Sequence, residues 1–148
     1  MCGVAGYFGK KTIERKFLER CQILMRRRGP DDEDYVIRKT GFGEHLYLLH
    51  SRLSILDLDD RSRQPFIEGD SVLSYNGETY NYRELRQDYL NLGETFRTNG
   101  DTEVVSKLLN KEGIESISHA EGMWAFAWFN SNEQMLYLCR DRFGEKPL

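Results

Sequence analysis

Met1-Cys2-Gly3-Val4-Ala5-Gly6-Tyr7-Phe8-Gly9 opens the chain. From Cys2 to Phe8, small residues alternate with apolar ones and the run stops at Gly9, which reads as a buried strand. A cysteine stands immediately behind the initiator methionine. Cysteine is small enough for Met1 to be trimmed, which would leave a free α-amine on Cys2. Such an amine titrates near about 7.7–8.0, so at neutral pH it can serve as a base. It can take the proton of the neighbouring thiol directly or through a water, and this N-terminal pairing needs no histidine. His45, His50 and His119 sit in no recognisable pairing with a cysteine. Taken alone, Cys2 reads as an ordinary small residue at a strand start, and a lone motif does not displace that reading.

Beyond this strand, Ile13, Phe17, Cys21, Leu24 and Met25 recur at three- and four-residue steps. The spacing predicts an amphipathic helix with Thr12 as its N-cap, ending near Arg26-Arg27-Arg28 and stopped by Gly29-Pro30. Residues 35–38 and 46–53 flank Thr40-Gly41-Phe42-Gly43 as a hairpin. Residues 57–70, rich in Asp, Arg and Ser, read as a long surface loop, and loops of that length in a compact domain are often functional. Residues 71–75 read as a strand running into Asn76-Gly77. Tyr82, Leu85, Tyr89 and Leu92 mark a second helix closed by Gly93. Residues 102–111 form a third, with Val104, Val105, Leu108 and Leu109 as its stripe. Residues 123–129 and 135–139 pair as strands, with Trp124, Phe126, Trp128 and Phe129 taken as sheet core. Strands on both sides of the helices point to sheets covered by helices.

The bulk numbers bound what such a chain can do. Its 148 residues fit one domain, and 39% hydrophobic with 12% aromatic residues is a globular composition. A net charge of −3 argues against a nucleic-acid partner. The triple arginine does not reverse that, because Asp31-Asp32-Glu33-Asp34 lies beside it and a helix C-terminus favours cations. No apolar stretch is long enough to span a membrane. Lys10 and Lys11 follow the first apolar run, the wrong order for a secretory signal. Cys2, Cys21 and Cys139 are odd in number and widely spaced, so neither a disulfide framework nor a zinc site is expected, and the compartment implied is the cytoplasm.

Six stretches occur in order: Cys2-Gly3-Val4-Ala5-Gly6; Arg28-Gly29-Pro30-Asp31; residues 50–57 (HSRLSILD); residues 76–81 (NGETYN); Gly100-Asp101-Thr102-Glu103; and residues 140–148 (RDRFGEKPL). Together they closely resemble the class II glutamine amidotransferase domain of the asparagine synthetase family, and the likeness covers the whole chain, residues 1–148. The resemblance implies an α+β fold, a four-layer αββα sandwich of the N-terminal-nucleophile hydrolase type. The family's domain has further strands to add past residue 148, so the sandwich is expected to be cut short at its C-terminal end, leaving sheet edges open to aggregation.

The same resemblance assigns roles. Cys2 attacks the glutamine side-chain amide, forms a thioester and releases ammonia. Asn76, through its amide, and Gly77, through its N–H, form the oxyanion hole. In the absence of that chemistry Asn-Gly would read as a tight turn after a strand, and both uses are compatible. Arg52 clamps the glutamine α-carboxylate, which suits its planar fork. Asp101 meets the α-ammonium with Glu78 close by; the structural alternative is a helix N-cap, with Glu103 in the first turn. Leu53, Ser54, Ile55 and Leu56 line the pocket.

No metal or organic cofactor is implied for the hydrolysis. ATP and Mg²⁺ belong to the family's synthetase domain, whose pyrophosphate loop this chain lacks. The implied partners are glutamine and a synthetase domain or subunit that receives ammonia for amide (asparagine) synthesis; a homodimer is left open. Two alternatives stand beside this one. The chain could be the amidotransferase domain of another glutamine-dependent biosynthetic enzyme, against which residues 52–55 (RLSI) speak. It could also be a catalytically silent binding or regulatory module with the same fold.

Overall fold

In a computed structural model the described residues, 2–54 and 60–148, form two antiparallel sheets and three helices of two turns or more. The first sheet holds β1 (Gly3–Gly9), β3 (His45–Arg52) and β2 (Asp32–Lys39), with β3 in the middle. The second runs β4 (Phe66–Glu68), β5 (Ser71–Thr79), β6 (Gly122–Asn130) and β7 (Met135–Arg140) in that order. Helix α1 (Arg15–Met25) covers the outer face of the first sheet. Leu18 packs there on Tyr47 and Leu49, with Ile13, Cys21 and Met25 around them. Helices α2 (Tyr82–Asn91) and α3 (Asp101–Glu112) cover the second. Leu85, Val105 and Leu109 pack on Tyr75, Trp124, Phe126 and Trp128. The four layers are thus helix, sheet, sheet, helices, as the resemblance implied.

Between the sheets the side chains follow the period of two. On β3, Leu46, Leu48, His50 and Arg52 share one face, and Leu46 and Leu48 meet Val36, Val72, Ala127 and Phe129 in an apolar core. On β5 the matching row is Val72, Ser74, Asn76 and Glu78. Both rows change in the same direction, from aliphatic residues to a buried polar pair and then to the residues at the rim. That pair is His50 Nδ1 with Ser74 Oγ at 3.1 Å. The inter-sheet layer therefore has a dry end and a polar end. Val4 packs against the dry core, and Cys2, two residues earlier, reaches the polar end.

Two expectations and two alternative readings need correction. Thr12 is not the cap of α1: the chain stays extended through Glu14, because the Ile13 N–H is held by the Tyr47 hydroxyl at 3.0 Å, and the helix starts at Arg15. Asn76-Gly77 is not a turn but lies inside β5, which pairs with β6 as far as Thr79 opposite Gly122. Residues 57–59 of the expected loop at 57–70 lie outside the described residues, and the remainder contains β4, joined to β5 across Gly69-Asp70. Asp101 is not the cap of α3; Gly100 holds that position and Asp101 opens the first turn. By contrast Trp124, Phe126 and Trp128 do fill the core, with Phe129 on the opposite, inter-sheet face.

Candidate active site

The polar end of the inter-sheet layer opens into a cavity of about 130 Å³. Its wall includes Cys2, Arg52, Leu53, Asn76, Gly77, Glu78 and Asp101, seven of the ten residues expected at the site. Ser54 is not on that wall; its N–H is taken by the Asp31 carboxylate at 2.7 Å. Ile55 and Leu56 lie outside the described residues.

Cys2 sits where β1 begins, beside the end of β3. The Leu53 N–H points at Cys2 Sγ at 3.4 Å, and the Leu53 carbonyl lies 3.7 Å from the same sulfur. The stretch Arg28-Gly29-Pro30-Asp31 braces this junction. Arg28 Nε donates to the Cys2 carbonyl at 3.1 Å, and the Asp31 N–H donates to the Arg52 carbonyl at 3.0 Å. Gly29 is packed so closely on the backbone of Ser51 and Arg52 that a Cβ there would fall 2.4 Å from the Ser51 oxygen. The motif thus serves to hold Cys2 and the Arg52–Leu53 backbone together, a structural reason for a stretch that the sequence marked only as a helix stop and as part of the family likeness.

Strand geometry aims the Gly77 N–H. In an antiparallel strand, alternate residues direct both backbone groups to the same side. The Tyr80 N–H goes to Glu121 on the β6 side, whereas Tyr75 N–H goes to Gln64 and Thr79 N–H to Asp101, away from β6. Gly77 lies between Tyr75 and Thr79 in this alternation, so its N–H points the same way, toward the cavity it lines. The absence of a side chain is required here: a Cβ on Gly77 would come within 2.6 Å of the Met123 carbonyl and 2.7 Å of Trp124 Cβ. The Asn76 side chain lies on the inter-sheet face, and Asn76 lines both this cavity and a second one behind Cys2, bounded also by Val4, Met25 and Leu148.

The charged residues on the wall are Arg52, Lys146, Glu78 and Asp101, two of each sign. Arg52 is buried at the end of β3. Asp101 is buried in the first turn of α3 and accepts the Thr79 N–H at 2.9 Å. Burial raises its carboxyl to about 6, with Glu78 adding to the rise, while the N–H groups of Thr79, Asp101 and Thr102 work against it. His50, one pleat below Arg52, is pushed down to about 3, first by burial and then by the Arg52 charge. It therefore stays neutral at physiological pH.

Sequence reading missed Gln64, Tyr75, Thr102, Met123 and Lys146 on the cavity wall. Lys146 was inside a quoted motif, and its placement depends on Asp141. That carboxylate accepts N–H groups from Trp124, Phe143, Glu145 and Lys146 at 2.9–3.2 Å. Burial would raise Asp141, but these donors prevail and hold it at about 2. The turn they fix carries Lys146 to the site.

The described residues contain no group of three His, Cys, Asp or Glu fit to hold a metal ion. No helix among them is long and apolar enough to cross a membrane. All three cysteines are free.

The chain is similar to known proteins over its whole length. The chain is 39% identical over 156 residues to asparagine synthetase [glutamine-hydrolyzing] 2 of Bacillus subtilis, covering 100% of this chain and 20% of that protein. It is 34% identical over 153 residues to asparagine synthetase B [glutamine-hydrolyzing] of Escherichia coli, covering 100% of this chain and 26% of that one. It thus spans a fifth to about a quarter of the length of these relatives. Among solved structures, the glutamine phosphoribosylpyrophosphate amidotransferase of B. subtilis superposes with a TM-score of 0.67 at 19% identity, over 93% of this chain and 37% of that one, and so shares the fold. The glutamine amidotransferase domain family matches residues 1–148, and the chain belongs to that family.

Proposed function

We propose that the chain hydrolyses glutamine to glutamate and ammonia through a thioester on Cys2. The observation that carries this reading is the meeting of Cys2, Arg52, the Asn76-Gly77 pair and Asp101 around one cavity, from four separate parts of the sequence. With Met1 removed, the Cys2 α-amine takes the thiol proton. The sulfur attacks the side-chain carbonyl carbon of glutamine, and the oxygen gains negative charge toward Asn76 and the Gly77 N–H. Preorganised donors of this kind contribute about 3–4 kcal/mol each in the transition state. The C–N bond then breaks, the departing nitrogen takes the proton, and ammonia leaves. Water attacks the thioester, forming glutamate and restoring the thiol.

The wall charges suit an amino acid held by both ends. Arg52 receives the α-carboxylate, and Asp101, with Glu78, receives the α-ammonium. Leu53 and Met123 supply apolar wall for the methylene groups. None of these steps calls for a metal or organic cofactor. The names of the relatives support a further reading: the ammonia passes to a synthetase domain or subunit that makes an amide such as asparagine. ATP and Mg²⁺ would belong to that domain, as the sequence resemblance implies. Free cysteines support a reducing compartment, the cytoplasm.

The test is release of ammonia and glutamate from glutamine by the purified protein. Equal amounts are expected, with loss in Cys2→Ser and Cys2→Ala. Binding of glutamine without release, measured by calorimetry on a chain shown by mass to lack Met1, would instead establish a silent binding module.

A further inference from the structure

Gln64 is buried and hydrogen-bonds to both backbone groups of Tyr75, the residue preceding Asn76. Its Oε1 accepts the Tyr75 N–H at 2.7 Å, and its Nε2 donates to the Tyr75 carbonyl at 3.0 Å. The pairing of β4 with β5 explains why a side chain does this. Phe66 lies opposite Leu73 and Ile67 opposite Val72, so the same register would set Gln64 opposite Tyr75. The ladder stops at Phe66, however, and the backbone leaves the sheet. The primary amide of Gln64 offers the same donor and acceptor that a strand residue would offer, from one side-chain length further out. The space so gained is part of the cavity, which Gln64 lines.

The amide also belongs to a ring. Gln64 Nε2 lies 3.5 Å from Thr102 Oγ1, the longest link. Tyr75 Oη and Thr79 Oγ1 are 2.9 Å apart, and the Thr79 N–H donates to Asp101, the chain neighbour of Thr102. Asn76, Gly77 and Glu78 are enclosed between the two ends of this ring. We propose that Gln64 is a positioning residue, acting as a surrogate strand that fixes the oxyanion donors of β5 relative to Cys2 and ties them to the α3 turn receiving the substrate ammonium. This rests on the glutaminase reading above. A donor displaced by a fraction of an ångström still permits glutamine to bind through Arg52 and Asp101, but it stabilises the developing oxyanion less. The effect therefore falls on kcat rather than on KM.

Gln64→Leu and Gln64→Glu are the informative variants, assayed for glutamine hydrolysis beside the unaltered protein, with folding checked by thermal melts. Gln64→Leu is expected to lower kcat about 30-fold or more while KM stays within about threefold. Gln64→Glu keeps the acceptor for the Tyr75 N–H and regains a donor for its carbonyl only when protonated. Its kcat relative to the unaltered protein at the same pH should therefore climb as pH falls from 8 to 5.5. A merely structural role would not produce that climb. A Gln64→Leu kcat within about threefold of the unaltered value overturns the proposal, as does a Gln64→Glu ratio that is flat with pH. Should Gln64→Leu fail to fold, the Gln64→Glu profile decides alone. An unaltered protein that does not hydrolyse glutamine fails the underlying reading instead, so the two failures are distinguishable.

Discussion

Asp101 meets two demands that pull against each other. Its carboxylate must be ionised to hold an ammonium group, yet burial raises it to about 6. Ligand affinity should therefore depend on pH apart from any chemistry at sulfur. In a Cys2→Ala background, glutamine affinity measured by calorimetry should weaken about tenfold for each pH unit below 6. Asp101→Asn should abolish that dependence and weaken binding at neutral pH. An affinity that is level from pH 7 to 5 would remove Asp101 from the ammonium site. The residue was legible in Gly100-Asp101-Thr102-Glu103 as either a cap or a ligand, and its hydrogen bond to Thr79 shows why: it is a buried acceptor in the first turn, next to a cap that has no side chain.

At the scale of elements, the fold turns on how β5 and β6 lie together. Gly77 faces Trp124 in a non-hydrogen-bonded pair, the closer of the two kinds, and there is no room for a methyl group. Gly77→Ala should cost about 1–3 kcal/mol of stability by overpacking, in addition to its effect on activity. In a chain of this size that is a fall in Tm of roughly 2–12 °C. Gly41→Ala, where a Cβ would meet only Gln134 Oε1 at 3.9 Å, is the matched control and should leave Tm within about 2 °C. Equal Tm values for the two variants would contradict this packing.

The helices were visible from their three- and four-residue steps, and most strands from alternation or, in β3 and β6, which are buried on both faces, from short apolar runs. What escaped the sequence were features set by distant partners. Tyr47 fixes where α1 starts, pairing with β6 draws Asn76-Gly77 into a strand, and three residues of β4 are too few to show a pattern. Gln64 and Lys146 carry no local signal of their role, since the first depends on where β4 leaves the sheet and the second on the turn held by Asp141.

Across the whole molecule, two buried groups at the polar end of the inter-sheet layer act oppositely on stability as the solution is acidified. His50 has a folded value near 3 against an ordinary 6.5, so the unfolded chain takes its proton first. Its contribution is present above pH 6.5 and is lost as pH falls toward 3. Asp101 has a folded value near 6 against an ordinary 3.8, so the folded chain takes its proton first. Its penalty, roughly 3 kcal/mol at 1.36 kcal/mol per pKa unit, is present above pH 6 and is relieved as pH falls toward 3.8. Between pH 6 and 4 the two offset one another. Removing the carboxylate in Asp101→Asn should therefore make Tm fall more steeply over that range than in the unaltered protein, as followed by thermal melts at half-unit steps. Parallel Tm curves would contradict the assignment. The arrangement also shows what the site demands of the fold: a sandwich whose apolar core would be simpler to build is kept polar at one end, where Cys2, Arg52 and Asn76 converge.

The most direct test of the account is the intact mass of the purified protein before and after incubation with 6-diazo-5-oxo-norleucine, beside a Cys2→Ser control. The account predicts a starting mass that lacks Met1, a single adduct after incubation, and no adduct on the control. A folded chain that lacks Met1 and gains no adduct would contradict it, because the nucleophile would then be exposed but not activated within a glutamine pocket.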